Sequence, residues 1–419
     1  MHRVSAHRYQ NTLTSRIKYQ RTSLSLDTEG KTMNTQDRSM IAISSSHGIM
    51  HAYLVLLPAM IPILGGELGD IATVGLLASL VTLFYGWFSF PIGFIADRYS
   101  KKMLITISMI LCGGSSLIIG FSPSIPIAAI GLITLGIGAS LYHPCGYAHM
   151  SLLSDESRGR YMGIQGLSGD MGMAVSYLTS SLLGIRYGWR MTFIIWGILG
   201  LVMAIIDHFV AEDIDTKIQK GTHVGPLATL KKMFGTADRG TLIVTLGIVV
   251  LSGMLWTGVA SFIMVFIEEQ KGLSFVIAGG LSTLKYTVGA FAQILGGELS
   301  DRMGRKKLLL FGYAGFALSL IGFVLAPSSL PILVLIVIIL GFTFFITQSP
   351  MNALLGDIAT KDTVGVTYGV NFTLKYGVGF FTPAIAGYLA LNYGYSSVFY
   401  FFAALSVLAF GIALLIKEK

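Results

Sequence analysis

Charge is what this sequence has least of. Only 12% of its 419 residues are Asp, Glu, Lys or Arg, against 53% hydrophobic, and the mean hydropathy is +0.72. No soluble domain of this length normally shows such a balance, so the chain reads as a polytopic membrane protein. Acidic residues are scarcer still within the apolar runs, where Asp170 alone lies well inside one. Cysteine is limited to Cys112 and Cys145, both in apolar runs, which argues against a disulfide framework. A Gly-x-x-x-x-Gly-Lys-Ser/Thr phosphate loop is missing, and no polar segment is long enough to be a nucleotide-binding domain. An enzyme is therefore not expected, nor a cofactor.

What is abundant fits the same reading. Glycine, at 50 residues, suits helices that approach closely in lipid. The net charge of +8 is spread over short basic clusters between apolar runs, the pattern of a topology signal rather than of a nucleic-acid surface. Residues 1–40 are polar and basic, have no apolar core resembling a signal peptide, and are expected to be a disordered cytoplasmic tail; Met33 and Met40 are alternative starts.

Twelve apolar spans of about 20 residues follow, the length that a hydrocarbon core of ~30 Å requires. Their limits are 41–64, 72–96, 103–121, 125–149, 160–183, 191–210, 241–267, 274–299, 308–326, 331–356, 364–390 and 396–416. The polar stretch 211–240 divides them six and six, predicting bundles at 41–210 and 241–419 around a cytoplasmic central loop. Loops on the tail's side carry 24 of the 29 basic residues; Arg186, Arg190 and Lys271 lie on the other side, and Lys285 and Lys375 inside spans. By the positive-inside rule both termini are cytoplasmic.

The two halves repeat. Asp97 and Asp301 are 204 residues apart, while Pro144 and Pro350, and the YGW and YGY stretches at 187 and 393, are 206 apart. Three landmarks at nearly one offset predict two parallel, homologous six-helix halves. A shorter period relates TLKYTVGAF (283–291) to TLKYGVGFF (373–381), as an inverted three-helix repeat within one half would.

With these loops and spans in view, the sequence resembles the major facilitator superfamily across 41–419. The likeness rests on G-x-x-x-D-R-x-G-R-K, present as Gly93, Asp97, Arg98, Lys101, Lys102 and again as Gly297, Asp301, Arg302, Gly304, Arg305, Lys306. The first copy departs from the pattern, with Ser100 for glycine and Lys101 for arginine. The resemblance implies an all-α membrane protein, twelve transmembrane helices in two pseudo-symmetric six-helix bundles, and a substrate cavity between them reached alternately from each side. Within the superfamily, HGIMHAYLVLLPAMIP (47–62), LYHPCGYA (141–148) and GRYMGIQGLSGDMGMA (159–174) look like the fosmidomycin-resistance-like efflux branch, although the fifth span lacks the glycine–proline kink of proton-coupled exporters. Cations in both the eighth and eleventh spans are similar to the oxalate–formate exchangers, where they face an organic anion.

The candidate site follows from the intramembrane charges. A lysine near the bilayer centre costs roughly 2.5–3.5 kcal/mol on insertion scales, and at a depth of roughly 16 Å neither Lys285 nor Lys375 can snorkel. Each needs a wet cavity or a carboxylate. The superfamily's arrangement sets Asp170 near Lys285, predicting an ion pair that a proton or the substrate breaks, with a permanent structural pair as the plainer alternative. Lys375 is left without a partner and is the expected anion acceptor. Tyr286, Tyr376, His51, Gln348 and Asn352 are further substrate-contact candidates, each equally readable as packing or interhelical bonding. Pro350 is expected to disrupt its helix ladder.

His143 joins Asp170 as a coupling candidate. His47, His51, His143, Cys145, His149, Met171 and Met173 also sketch a soft metal site, although the depths of His51 and His143 agree only loosely; no metal ligand is assigned, and His149 is expected at the cytoplasmic surface. Asp97, Arg98, Lys101, Asp301, Arg302 and Arg305 are expected to gate one face, as in the superfamily. The reading is a monomeric secondary transporter of a small organic anion such as a carboxylate or phosphonate, using protons or a counter-substrate. A transition-metal permease and a non-transporting membrane sensor are the rivals.

Overall fold

The computed structural model describes residues 33–64, 66–96, 99–153, 157–214, 239–358 and 364–416. Asp97, Arg98, the tail through residue 32 and most of the central loop lie outside the described residues. Hydrocarbon offers backbone N–H and C=O groups no water, so a chain this apolar satisfies them internally as helix. In order these are α1 (Thr35–Met60), α2 (Ile71–Ala96), α3 (Lys101–Gly120), α4 (Ile125–Leu153), α5 (Arg158–Val210), α6 (Arg239–Glu269), α7 (Phe275–Met303), α8 (Arg305–Leu325), α9 (Leu330–Phe345), α10 (Gln348–Ile358), α11 (Val364–Gly377), α12 (Phe381–Tyr393) and α13 (Tyr395–Ala413).

Ten stretches of the described residues are long and apolar enough to cross a membrane, one of them combining α9 with most of α10. The other two spans are hidden by local geometry. α5 holds the fifth and sixth spans, joined at Gly188 with φ 81 and ψ 167, while α11 and α12 are the halves of the eleventh, broken at 378–380. Thus the described residues form a twelve-span helical bundle. α1 starts at Thr35 rather than 41, so 35–40 are helix and not tail.

The repeat seen in the sequence recurs in the backbone. Gly394, between α12 and α13, has φ 80 and ψ 164, nearly the values of Gly188, and only glycine adopts this conformation without strain. Gly304 in the second Asp–Arg loop has φ 93, whereas Ser100 at the equivalent turn has φ −55. Serine is therefore tolerated in the first copy, where it caps α3 by accepting from Met103 N at 3.2 Å. Pro350 acts a helical turn ahead of itself: α9 ends at Phe345 and α10 begins at Gln348, because the proline has no N–H to offer the Ile346 carbonyl.

α2 packs on α11 and α12, and α5 on α7, across the seam between the first five and the last eight helices. At the α2–α11 crossing, a Cβ on Gly86 would collide with the main chain of Gly377. Trp87 Nε1 donates to Gly377 O at 3.0 Å and Thr373 Oγ1 to Gly86 O at 3.1 Å. Along α5–α7, Thr283 Oγ1 donates to Ala174 O at 2.9 Å, and Gly279 faces Ser181. Nearer the face where α1 begins, the α5–α7 seam opens into a cavity of about 170 Å³ lined by Gly166, Asp170, Gln293 and Ser349 among others.

Candidate functional site

Lys285 on α7 is buried, with a relative exposure of 4%, and Lys375 on α11 is half-buried. Their main chains are placed alike: the Lys285 carbonyl abuts Gly341 of α9, and the Lys375 carbonyl abuts Gly253 of α6. Absence of a side chain at each glycine lets the lysine helix approach closely.

Their side chains differ, in the opposite sense to the sequence expectation. Lys375 Nζ donates to Gln348 Oε1 at 2.9 Å. Gln348 is itself held by its amide nitrogen, which donates to Ser252 Oγ at 3.3 Å and Thr347 Oγ1 at 3.1 Å. Lys285 Nζ instead lies 4.0 Å from the centroid of the Tyr286 ring, with apolar Leu255, Val259, Phe316 and Leu340 around it. Among the described residues no oxygen reaches Lys285 at hydrogen-bond or ion-pair distance. The aromatic face supplies a weaker attraction than an oxygen would.

Asp170 is buried on α5 and within electrostatic range of Lys375 and Lys285, but it pairs directly with neither at 4 Å or less. The expected Asp170–Lys285 ion pair is therefore absent, and Lys375 is the lysine with a fixed partner. Distance accounts for the difference: α5 and α7 cross through Thr283 and Ala174, one turn beyond Asp170, and splay below it.

Tyr286 stacks on Tyr177 at 5.5 Å, and Tyr376 lies between Tyr85 at 4.6 Å and Trp256 at 5.4 Å. Both are buried in aromatic packing beside the lysines. Asn352 is half-buried, and no side-chain hydrogen bond joins it to Gln348.

Three histidines converge on the other side of Lys375. His143 Nε2 of α4 is 3.2 Å from His51 Nε2 and 3.4 Å from His47 Nε2, both on α1. Thus the loosely matched depths expected for His51 and His143 are corrected to direct contact. His47 Nδ1 donates to Gln165 O at 2.6 Å, and His143 Nδ1 is 2.7 Å from the Tyr85 hydroxyl. Cys145 is buried and does not join the cluster. His149 is fully buried, 3.0 Å from Ser39 Oγ, and so is not a surface residue.

Sequence reasoning missed Tyr85, Gln165 and Trp256, which position the polar groups, and Asp207, a second buried carboxylate near the end of α5 that accepts from Ser46 Oγ at 2.6 Å. Gln165 and Asp207 were visible as polar residues inside apolar runs; Tyr85 and Trp256 carried no signal to separate them from packing aromatics.

Of the gating candidates, Asp97 and Arg98 lie outside the described residues. Lys101 Nζ donates to Ala96 O at 3.2 Å, Arg305 Nη1 donates to Ala353 O at 2.8 Å, and Arg302 pairs with Glu298 at 2.6 Å on the surface, where Asp301 is also exposed. On the opposite face, Arg190 pairs with Glu67 at 3.1 Å, and Lys271 Nζ caps the end of α8 through Val324 O and Ala326 O.

A family model described as Major Facilitator Superfamily matches residues 43–383. The chain is similar to the cis,cis-muconate transport protein of Acinetobacter baylyi, 24% identical over 341 residues that cover 78% of each protein. It is also 22% identical over 360 residues to the hexuronate transporter of Bacillus subtilis, covering 80% of this chain and 83% of that one. These relatives lend the fosmidomycin-resistance-like branch no support. Among solved structures, a bacterial homolog of the human lysosomal transporter Spinster, in an inward-facing and occupied conformation, has a TM-score of 0.76 at 16% identity, over 92% of this chain and 97% of that one.

Proposed function

The chain belongs to the major facilitator superfamily, and on that premise we propose that it is a secondary transporter of a small organic anion, bound through its carboxylate by Lys285 with Lys375 behind it. The observation that carries this reading is the buried charge inventory: two lysines face one carboxylate, Asp170, and Lys285 has no oxygen partner. An ammonium left in apolar surroundings is costly, and a substrate carboxylate would replace the missing partner. The two relatives named above carry organic acids by their printed names, which supports a carboxylate as the recognised group.

In this mechanism the substrate enters by the cavity between α5 and α7 and meets Asp170 before the lysines. Protonation of Asp170, or its displacement by the substrate carboxylate, leaves the lysines to the substrate and couples binding to rocking about the α2–α11 crossing. Trp256, Tyr286 and Tyr376 wall the pocket and keep the ammonium groups in place. The Asp301, Arg302 and Arg305 loop, with its Ala353 contact, holds the ends of α7, α8 and α10 together on the cavity face and gates it.

The test is a thermal-shift screen of dicarboxylates, sugar acids and phosphonates on the purified protein, followed by uptake into proteoliposomes of whichever stabilises it. A carboxylate that stabilises the wild type, is transported, and fails to stabilise Lys285→Ala is the expected result. Equal stabilisation of the wild type and Lys285→Ala would overturn the assignment.

A further inference from the structure

The anion pocket makes no use of the three converging imidazoles. His47 and His51 are four residues apart and so share one face of α1, and α4 brings His143 up to both. With metal–nitrogen bonds of about 2.0–2.1 Å, a tetrahedral ion separates neighbouring nitrogens by about 3.3–3.4 Å. The two separations here are 3.2 and 3.4 Å. A single proton on His143 Nε2 serves only one of these contacts at a time, whereas an ion among the three nitrogens serves all of them.

The outer ring edges are set for the same purpose. The Gln165 carbonyl can only accept, so the neutral His47 ring carries its proton on Nδ1 and turns a lone pair inward at Nε2. The Tyr85 hydroxyl can accept from His143 Nδ1 in the same sense. Carbonyl and hydroxyl partners of this kind orient metal-binding histidines. His51 Nδ1 is buried without a partner, so nothing holds that ring's proton away from the outer edge.

We propose that His47, His51 and His143 form a resident binding site for one divalent first-row transition ion of the zinc class. An all-imidazole donor set suits zinc, cobalt, nickel or copper and not magnesium or calcium, which require oxygen. All three ligands stand on α1 and α4, on one side of the α2–α11 seam that His143 borders through Tyr85 and Phe372, and Gly169 closes against the His47 and His51 rings. Rocking across those seams does not separate the ligands, so the ion stays rather than travelling as cargo. Lys375 lies within electrostatic range of His51 and His143, so an ion bound there adds positive potential beside the anion pocket.

The test uses purified full-length protein stripped with a chelator and titrated with Co²⁺, then Zn²⁺. Expected are one equivalent of Co²⁺ with the visible absorption of a tetrahedral nitrogen site, its displacement by Zn²⁺, and a rise in Tm with Zn²⁺. Tyr85→Phe should weaken the ion by about 10- to 100-fold. His143→Ala should abolish the spectrum, and His51→Gln, at a position 9% exposed, should weaken binding at least tenfold with the fold intact. If His143→Ala does not fold, His51→Gln decides. Substoichiometric binding, an octahedral spectrum, or equal binding by the wild type and His51→Gln would overturn the site. Since the readout is metal occupancy, failure of the anion assignment leaves this result unaffected.

Discussion

Lys375 Nζ and Gln348 Oε1 are 2.9 Å apart, and this bond makes two lysines from one repeated motif chemically unlike. The Gln348 oxygen stands where a carboxylate would, while Lys285 has only the Tyr286 ring. The substitutions below separate the two roles.

Lys285→Ala removes the cation that the substrate carboxylate neutralises. Loss of one member of a buried charge pair costs about 2 kcal/mol or more, roughly thirtyfold in Kd. Lys375→Ala should cost less in binding, because Gln348 is left to be rehydrated instead of a substrate charge. Titration of both variants with the identified anion checks the order; a larger loss in Lys375→Ala would reverse it.

Gln348→Glu sets a permanent carboxylate beside Lys375. The apo protein should gain thermal stability through the charge-assisted bond, and anion affinity should fall by about tenfold or more as the net positive charge is lost. Unchanged affinity would separate Lys375 from the substrate.

Asp170→Asn deletes the one carboxylate within electrostatic range of both lysines among the described residues. Anion binding should persist or tighten, while proteoliposome uptake driven by a pH gradient should fall to near background. Wild-type uptake in a well-expressed Asp170→Asn protein would remove Asp170 from coupling.

Gly86→Val inserts a side chain into the Gly377 main chain. Overpacking of this kind typically costs about 1–3 kcal/mol, and relief requires α2 and α11 to part. A lower Tm together with increased thiol labelling of a cysteine introduced at Thr373 is the expected pair of results.

Asp70 lies in the loop before α2, where its carboxylate accepts from Thr73 N at 2.8 Å and Thr73 Oγ1 at 2.7 Å. These bonds favour the charged form and hold its pKa below the ordinary 3.8. A carboxylate depressed in the folded state adds stability above its unfolded pKa and loses it as pH falls through the lower folded value. Hence Asp70→Ala should lower Tm at neutral pH, with the gap to wild type closing as pH drops below 3.8. A gap that stays constant down to that range would show that these bonds do not stabilise the protein.

The spans were legible because hydrocarbon imposes one solution on backbone polar groups. Even so, nothing in the sequence warned that the eleventh span breaks at 378–380, since hydropathy measures how apolar a stretch is and not where its hydrogen bonds run. Candidate lysines, Asp170 and the histidines stood out because polar groups are rare in apolar runs. Their partners did not: an ion pair depends on where two helices splay, and depth along each span places side chains only in one dimension. That is why His51 and His143 seemed mismatched in depth yet meet at 3.2 Å.

By itself, then, the sequence determined the class, the number of spans, the repeat and the short set of buried charges, because each follows from the cost of placing a residue in hydrocarbon. Tertiary structure alone decided which charge has a partner. Gln348 reaches Lys375, Asp170 stops short of both lysines and His143 closes on α1, since helix crossing angles and glycine contacts set those distances in three dimensions.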